Sequence, residues 1–141
     1  MNHSTLTPGL RESLLNQLVV LGEEKKTFLD AYFAAHIKER SDASQFLADY
    51  VTFVEKQLQL KPEEQLATVY IGTEVTIYDM EYKSTDTFEI VYPDEMDPDE
   101  NRISFLSPLG KQLLMRRIGE VFQVETPSGV MEIRIDNIQY K

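Results

Sequence analysis

Glu39 and Asp42 stand three residues apart in the polar run Lys38-Glu39-Arg40-Ser41-Asp42-Ala43-Ser44, a spacing that can put both carboxylates on one face of a turn. Such a pair offers hard oxygen donors. The same residues also have a plainer use. A turn between helices is polar because it is solvated, and Asp42 can cap a second helix with Gln45 completing a capping box. The other acidic group, Asp94, Glu95, Asp97, Asp99 and Glu100, matches no EF-hand spacing and reads as a solvated loop. Only two histidines occur, His3 in the N-terminal tail and His36, so a histidine dyad or zinc site is not expected. The chain has no cysteine, and with it no disulfide framework, thiolate zinc site or cysteine nucleophile. No G-x-S-x-G, Walker or Rossmann pattern is present.

The elements that must position Glu39 and Asp42 are helical. Residues 9–60 read as helix, with Thr7 or Ser4 available as a cap. Leu14, Leu18, Leu21, Lys25, Phe28, Tyr32 and Ala35 alternate in steps of four and three, a coiled-coil seam with one charged position. Gly22 interrupts it at a cost of about 1 kcal/mol against alanine, which predicts a kink or break. A second apolar face follows in Phe46, Leu47, Tyr50, Val51, Phe53, Val54 and Leu58. Residues 38–44 lie between the two runs as the tip of an antiparallel hairpin. About thirty residues in the first run would span roughly 45 Å and about seventeen in the second only roughly 25 Å.

Pro62 ends the helical region, and from Ala67 the apolar period drops to two. Strands are expected around Val75, Ile77 and Tyr78, around Phe88, Ile90 and Val91, and around Ile103 and Phe105. Ser107 followed by Pro108 marks a short helix, with a hydroxyl N-cap and then a proline at the first helical position. Leu109, Leu113 and Leu114 continue that helix, and Gly119 lies past its end. Arg116 and Arg117 read as a solvated helix end. Residues 121–125 and 130–135 alternate around Thr126-Pro127-Ser128-Gly129, a hairpin, with 132–140 as the closing strand. The predicted class is α+β: an N-terminal antiparallel helical hairpin over residues 1–61, then a small twisted antiparallel sheet with one short helix over 62–141.

Charge is uneven. The net value is −10, with −1 in residues 1–61 and −9 in residues 62–141. An acidic body repels a phosphate backbone, which argues against independent nucleic-acid binding and for docking on a basic protein surface. No apolar stretch nears the ~20 residues of a membrane span, and no secretory signal is visible, so a cytoplasmic protein without membrane contact is expected.

The strand, S-P helix and T-P-x-G hairpin occur in the order found in the C-terminal domain of the GreA/GreB transcription elongation factor family, which this half resembles. The likeness begins at Ile71-Gly72-Thr73-Glu74-Val75, similar to the family's G-x-x-V strand, and runs to Tyr140. Val91-Tyr92-Pro93-Asp94-Glu95-Met96, then Pro108, Gly110, Leu113 and Leu114, then Arg117 and Gly119, also resemble the Gre-like regulator of nucleoside diphosphate kinase. In the first half, Leu6, Thr7 and Gly9 ahead of Leu14, Leu18 and Leu21 are similar to the Gre opening. Glu39, Asp42 and Phe46 retain the acid–acid–aromatic spacing of the Gre tip, with Glu and Asp exchanged and the asparagine and following glutamate absent.

The resemblance implies an FKBP-like C-terminal fold, without thereby implying prolyl isomerase activity. It implies binding to RNA polymerase at its secondary channel, with Leu106, Ser107, Pro108 and Leu109 gripping the partner and only indirect contact with DNA and RNA. Glu39 and Asp42 would then assist the polymerase's own transcript cleavage in backtracked complexes by holding Mg²⁺ shared with its active site. The chain would be no enzyme in its own right, with no cofactor of its own and no small-molecule substrate. Three alternatives stay open: a non-cleaving Gre-like inhibitor or competitor, an interaction protein like the nucleoside diphosphate kinase regulator, and a structural coiled-coil dimer.

Overall fold

The computed structural model describes residues 3–33 and 37–140. The chain divides into two compact units, Met1–Leu66 and Ala67–Lys141. Among the described residues, no helix is long and apolar enough to cross a membrane.

The first unit holds α1 (His3–Phe33), α2 (Ile37–Gln57) and the single turn α3 (Pro62–Gln65). Along α2, the buried side chains are Ala43, Leu47, Tyr50, Val54 and Gln57, in alternating steps of four and three. They face Leu10, Leu14, Gln17, Leu21, Phe28 and Leu29 of α1, all buried. The helices run antiparallel, because cross-helix partners close in sequence along the pair. Arg11 Nη1 donates to Leu58 O at 3.1 Å, Tyr50 Oη donates to Gln17 Oε1 at 2.7 Å, and Arg40 Nη1 lies 2.7 Å from Asp30 Oδ1.

Four details of this unit differ from the sequence reading. Gln17 occupies the seam where Leu18 was expected, its amide paired with Tyr50, while Leu18 is half-buried. The helix runs unbroken through Gly22, held by the packing of Leu21 and Phe28 on either side. It also starts early enough to contain Ser4 and Thr7, the two residues expected ahead of it as caps. Residues 38–44 are helix, not a connecting loop. Lys38, Glu39 and Arg40 are good helix formers, and Ala43 is fully buried. The seam position Ala35, the side chain of Tyr32, and His36 lie outside the described residues. Buried Gln65 closes the unit, donating to Gln57 O at 2.9 Å, which also accepts from Leu60 N at 3.0 Å, and to Leu60 O at 3.2 Å.

The second unit is a five-stranded sheet in the order β3-β2-β1-β5-β4. β1 (Thr73–Asp79) pairs antiparallel with β2 (Ser84–Val91) and β5 (Gly129–Tyr140), and β5 pairs antiparallel with β4 (Val121–Thr126). The expected antiparallel order holds for these four. β3 (Arg102–Ser104) departs from it, pairing in parallel with the end of β2, so the sheet is mixed. Two 3-10 turns opened by Pro93 and Pro98 carry the chain back for that pairing. In the second turn Asp97 Oδ1 accepts from Asp99 N, so one acid of the 94–100 group caps its own loop. A register shift between Thr76 and Ile77 bulges β5 opposite them. Val75, Ile77, Ile90, Val124, Ile133 and Ile135 of the strands are buried, as are Phe105, Leu113 and Leu114, and together they form the core of this unit.

Candidate functional site

The two sets of residues with chemical interest fall in different units. Glu39 and Asp42 lie in the first two turns of α2, three residues apart and both exposed. Glu39, in the first turn, favours the helix, whose N-terminus carries partial positive charge. Asp42 is the sixth residue of α2, so it is not the N-cap that the capping-box reading requires. Gln45 correspondingly donates to Asp49 Oδ1 at 2.9 Å instead. Lys38 Nζ lies 3.5 Å from Asp42 Oδ2, a solvent-exposed pair of small energetic weight.

Between the two acids, Arg40 turns back to α1 and pairs with Asp30, which also accepts from Lys26. Hydrogen bonds from Lys26 and then Arg40 hold the Asp30 carboxyl below the usual carboxylate range. With Arg40 tied down, Glu39 and Asp42 remain as outward-facing acids on this turn. Among the described residues, no group of three or more His, Asp or Glu side chains converges as a metal site. A carboxylate pair suits a hard divalent cation as a partial donor set, the remaining positions falling to water or to a second molecule.

In the second unit the chain leaves β3 and turns sharply into α4 (Pro108–Leu113). Ser107 Oγ accepts from Gly110 N at 3.1 Å and donates to Ser104 O at 2.7 Å. Ser104 Oγ accepts from Leu106 N at 3.0 Å. The expected hydroxyl cap and first-turn proline are both in place. Gly110 is required by proximity, since a Cβ there would lie 2.2 Å from Ser104 O. The corner presents Pro108, exposed, and Ser107 and Leu109, half-buried. Leu106 is only 7% exposed and belongs mostly to the core, where it anchors the corner from beneath.

Sequence reading missed what surrounds this corner. The Gln112 amide reaches β4, with Nε2 donating to Glu125 O at 2.8 Å and Oε1 accepting from Glu125 N at 2.8 Å. Its Nε2 also donates to Pro108 O at 2.9 Å. α4 ends at Leu113, so Arg116 and Arg117 are not the solvated helix end that was expected. The Arg116 guanidinium lies 3.8 Å above the Phe122 ring and 2.7 Å from Glu120 Oε2. Partial burial pushes the Glu120 carboxyl up, but hydrogen bonds from Arg116 and the Arg117 N–H outweigh it and leave the group below its usual range. Gln112 and Arg116 carry no periodic or motif signal that could have singled them out.

Comparison with known proteins places these features among relatives. Residues 63–140 match the family described as "Transcription elongation factor, GreA/GreB, C-term". The transcription elongation factor GreA of Thermoanaerobacter pseudethanolicus is 40% identical over 75 residues, covering 53% of this chain and 48% of that protein. The GreA of Acetivibrio thermocellus is 36% identical over 86 residues, covering 60% and 54%. The chain thus spans about half the length of the curated relatives it matches. The solved GreA/GreB structure from Nitrosomonas europaea aligns with a TM-score of 0.58 at 24% identity, over 84% of this chain and 93% of that one, a likeness of fold.

Proposed function

This chain belongs to the GreA/GreB transcription elongation factor family, and from that premise we propose that it regulates elongation by binding RNA polymerase at the secondary channel. The match over residues 63–140 carries this reading, because it contains the whole Ser107–Pro108 corner and the sheet that holds it rigid. Ser107, Pro108 and Leu109 form the docking face, with Leu106 as its anchor. The acidic second unit suits a basic surface on the partner, and contact with DNA or RNA is indirect.

The helical hairpin enters the channel with Glu39 and Asp42 leading. From Asp42 to Gln57, α2 spans about 22 Å. Magnesium shared with the polymerase would supply the Lewis acid for phosphodiester hydrolysis, which remains the polymerase's own reaction. Glu39 and Asp42 would supply two of the oxygen donors and orient a water, with the Arg40 guanidinium turned away from them to Asp30. A second reading, channel occupancy without cleavage, is favoured by Lys38, which already sits against Asp42.

Two measurements separate these readings. Core polymerase should retain the full chain in a pull-down, and the Ser107→Ala/Pro108→Ala variant should be retained far less. No retention of the wild type, or equal retention of both, contradicts the docking. Backtracked complexes should then shorten their RNA in the presence of the protein, and Asp42→Ala should remove the effect. Binding with no shortening assigns the chain to the occupying, non-cleaving type.

A further inference from the structure

We propose that Gln112 is a positioning residue that locks the Ser107–Pro108 corner to the Thr126-Pro127-Ser128-Gly129 turn, so that both present one rigid surface to the partner. The inference rests on the docking reading above. β4 is an edge strand, and Glu125 is its penultimate residue before that turn. At an edge, backbone groups normally go to water or to another strand. Here one side-chain amide takes both the N–H and the C=O of Glu125, as a neighbouring strand would, and its second N–H reaches Pro108 O. The carbonyls of Pro108 and Glu125 are therefore held by the same nitrogen.

The consequence is a composite face. Pro108 and Pro127 are exposed, Leu109 is half-buried, and Val130 at the start of β5 is 60% exposed. Prolines and a hydrogen-bonded serine cap lose little freedom when a partner arrives, and a surface already ordered binds with less entropic cost. Removing the clamp leaves the contact residues in place but lets α4 and the turn move apart. The effect should fall on the lifetime of the complex, because affinity differences at one interface lie mostly in dissociation.

The test measures dissociation of the full chain from immobilised core polymerase, comparing wild type, Gln112→Met and Val124→Ala. Methionine keeps the stem and volume of glutamine but makes none of the three bonds. Val124→Ala destabilises β4 from the core side without touching the clamp. The proposal expects Gln112→Met to dissociate about five- to tenfold faster, and Val124→Ala at the wild-type rate. Equal rates for wild type and Gln112→Met overturn it, as does equal acceleration by both variants. If the wild type does not bind polymerase, the docking reading falls, and hydrogen exchange reads the clamp alone. Faster exchange of the Glu125 amide in Gln112→Met than in Val124→Ala supports the lock, and unchanged exchange refutes it.

Discussion

The hairpin and the sheet unit meet opposite structural demands. A pair of antiparallel helices needs apolar residues in alternating steps of four and three, and many sequences satisfy that. Its acids at positions 39 and 42 are exposed on α2, Asp42 beside Lys38 of the same helix. The Ser107–Pro108 corner is over-determined: a hydroxyl cap, a first-turn proline, a glycine with no room for a Cβ, and a glutamine clamping an edge strand. The matching family model is that of the C-terminal part and covers residues 63–140, the corner included. Residue identity is restricted where several contacts converge on one group, and relaxed where only a pattern is needed.

The two mid-element glycines sharpen this contrast. Gly110→Ala should have the largest effect, because a Cβ 2.2 Å from Ser104 O displaces the carbonyl that receives both the N–H and the hydroxyl of Ser107. We expect a loss of about 3 kcal/mol and a fall in Tm on the order of 15 °C, read by thermal denaturation. In the hairpin, Tyr50→Phe removes the hydroxyl that donates to buried Gln17 and should cost about 1–2 kcal/mol in a urea titration.

Tyr140 offers a pH-dependent test within the sheet unit. Its hydroxyl accepts from Thr68 N at 3.1 Å and donates to Thr68 O at 2.8 Å, and burial pushes its pKa up to about 12. A folded value above the ordinary tyrosine value of about 10 means the contribution is complete below that value and is lost as pH rises toward 12. Tyr140→Phe should be less stable than the wild type by about 1 kcal/mol at pH 8, with the gap closing between pH 10 and 12. The smallest effect has the opposite sign. Gly22→Ala meets open space on an ordinary helical backbone and should stabilise the hairpin by about 0.5 kcal/mol.

Much of this arrangement was legible in the residues. Ser107–Pro108 announces its cap, and the alternation of β4 and β5 around Thr126-Pro127-Ser128-Gly129 announces a hairpin. What escaped reading has physical causes. A three-residue strand such as β3 shows no period, so nothing in Arg102-Ile103-Ser104 distinguishes parallel from antiparallel pairing. Gln17 looks like a surface residue beside Leu18, and only the tyrosine across the seam makes it an interior one. The start of α2 reads as loop because every residue from Lys38 to Asp42 is polar, although helix formers predominate among them. Gln112 acts through tertiary partners that no local pattern encodes.

The central claim is that the acidic turn of α2 reaches the polymerase's active centre while the Ser107–Pro108 corner holds the outside. A photo-crosslinking residue placed at Ser41, exposed between the two acids, tests it most directly in a backtracked elongation complex. The account predicts crosslinks to the 3′ end of the transcript and to polymerase segments lining the channel. Crosslinks confined to the outer surface of the polymerase, formed by a chain that still binds, would contradict it.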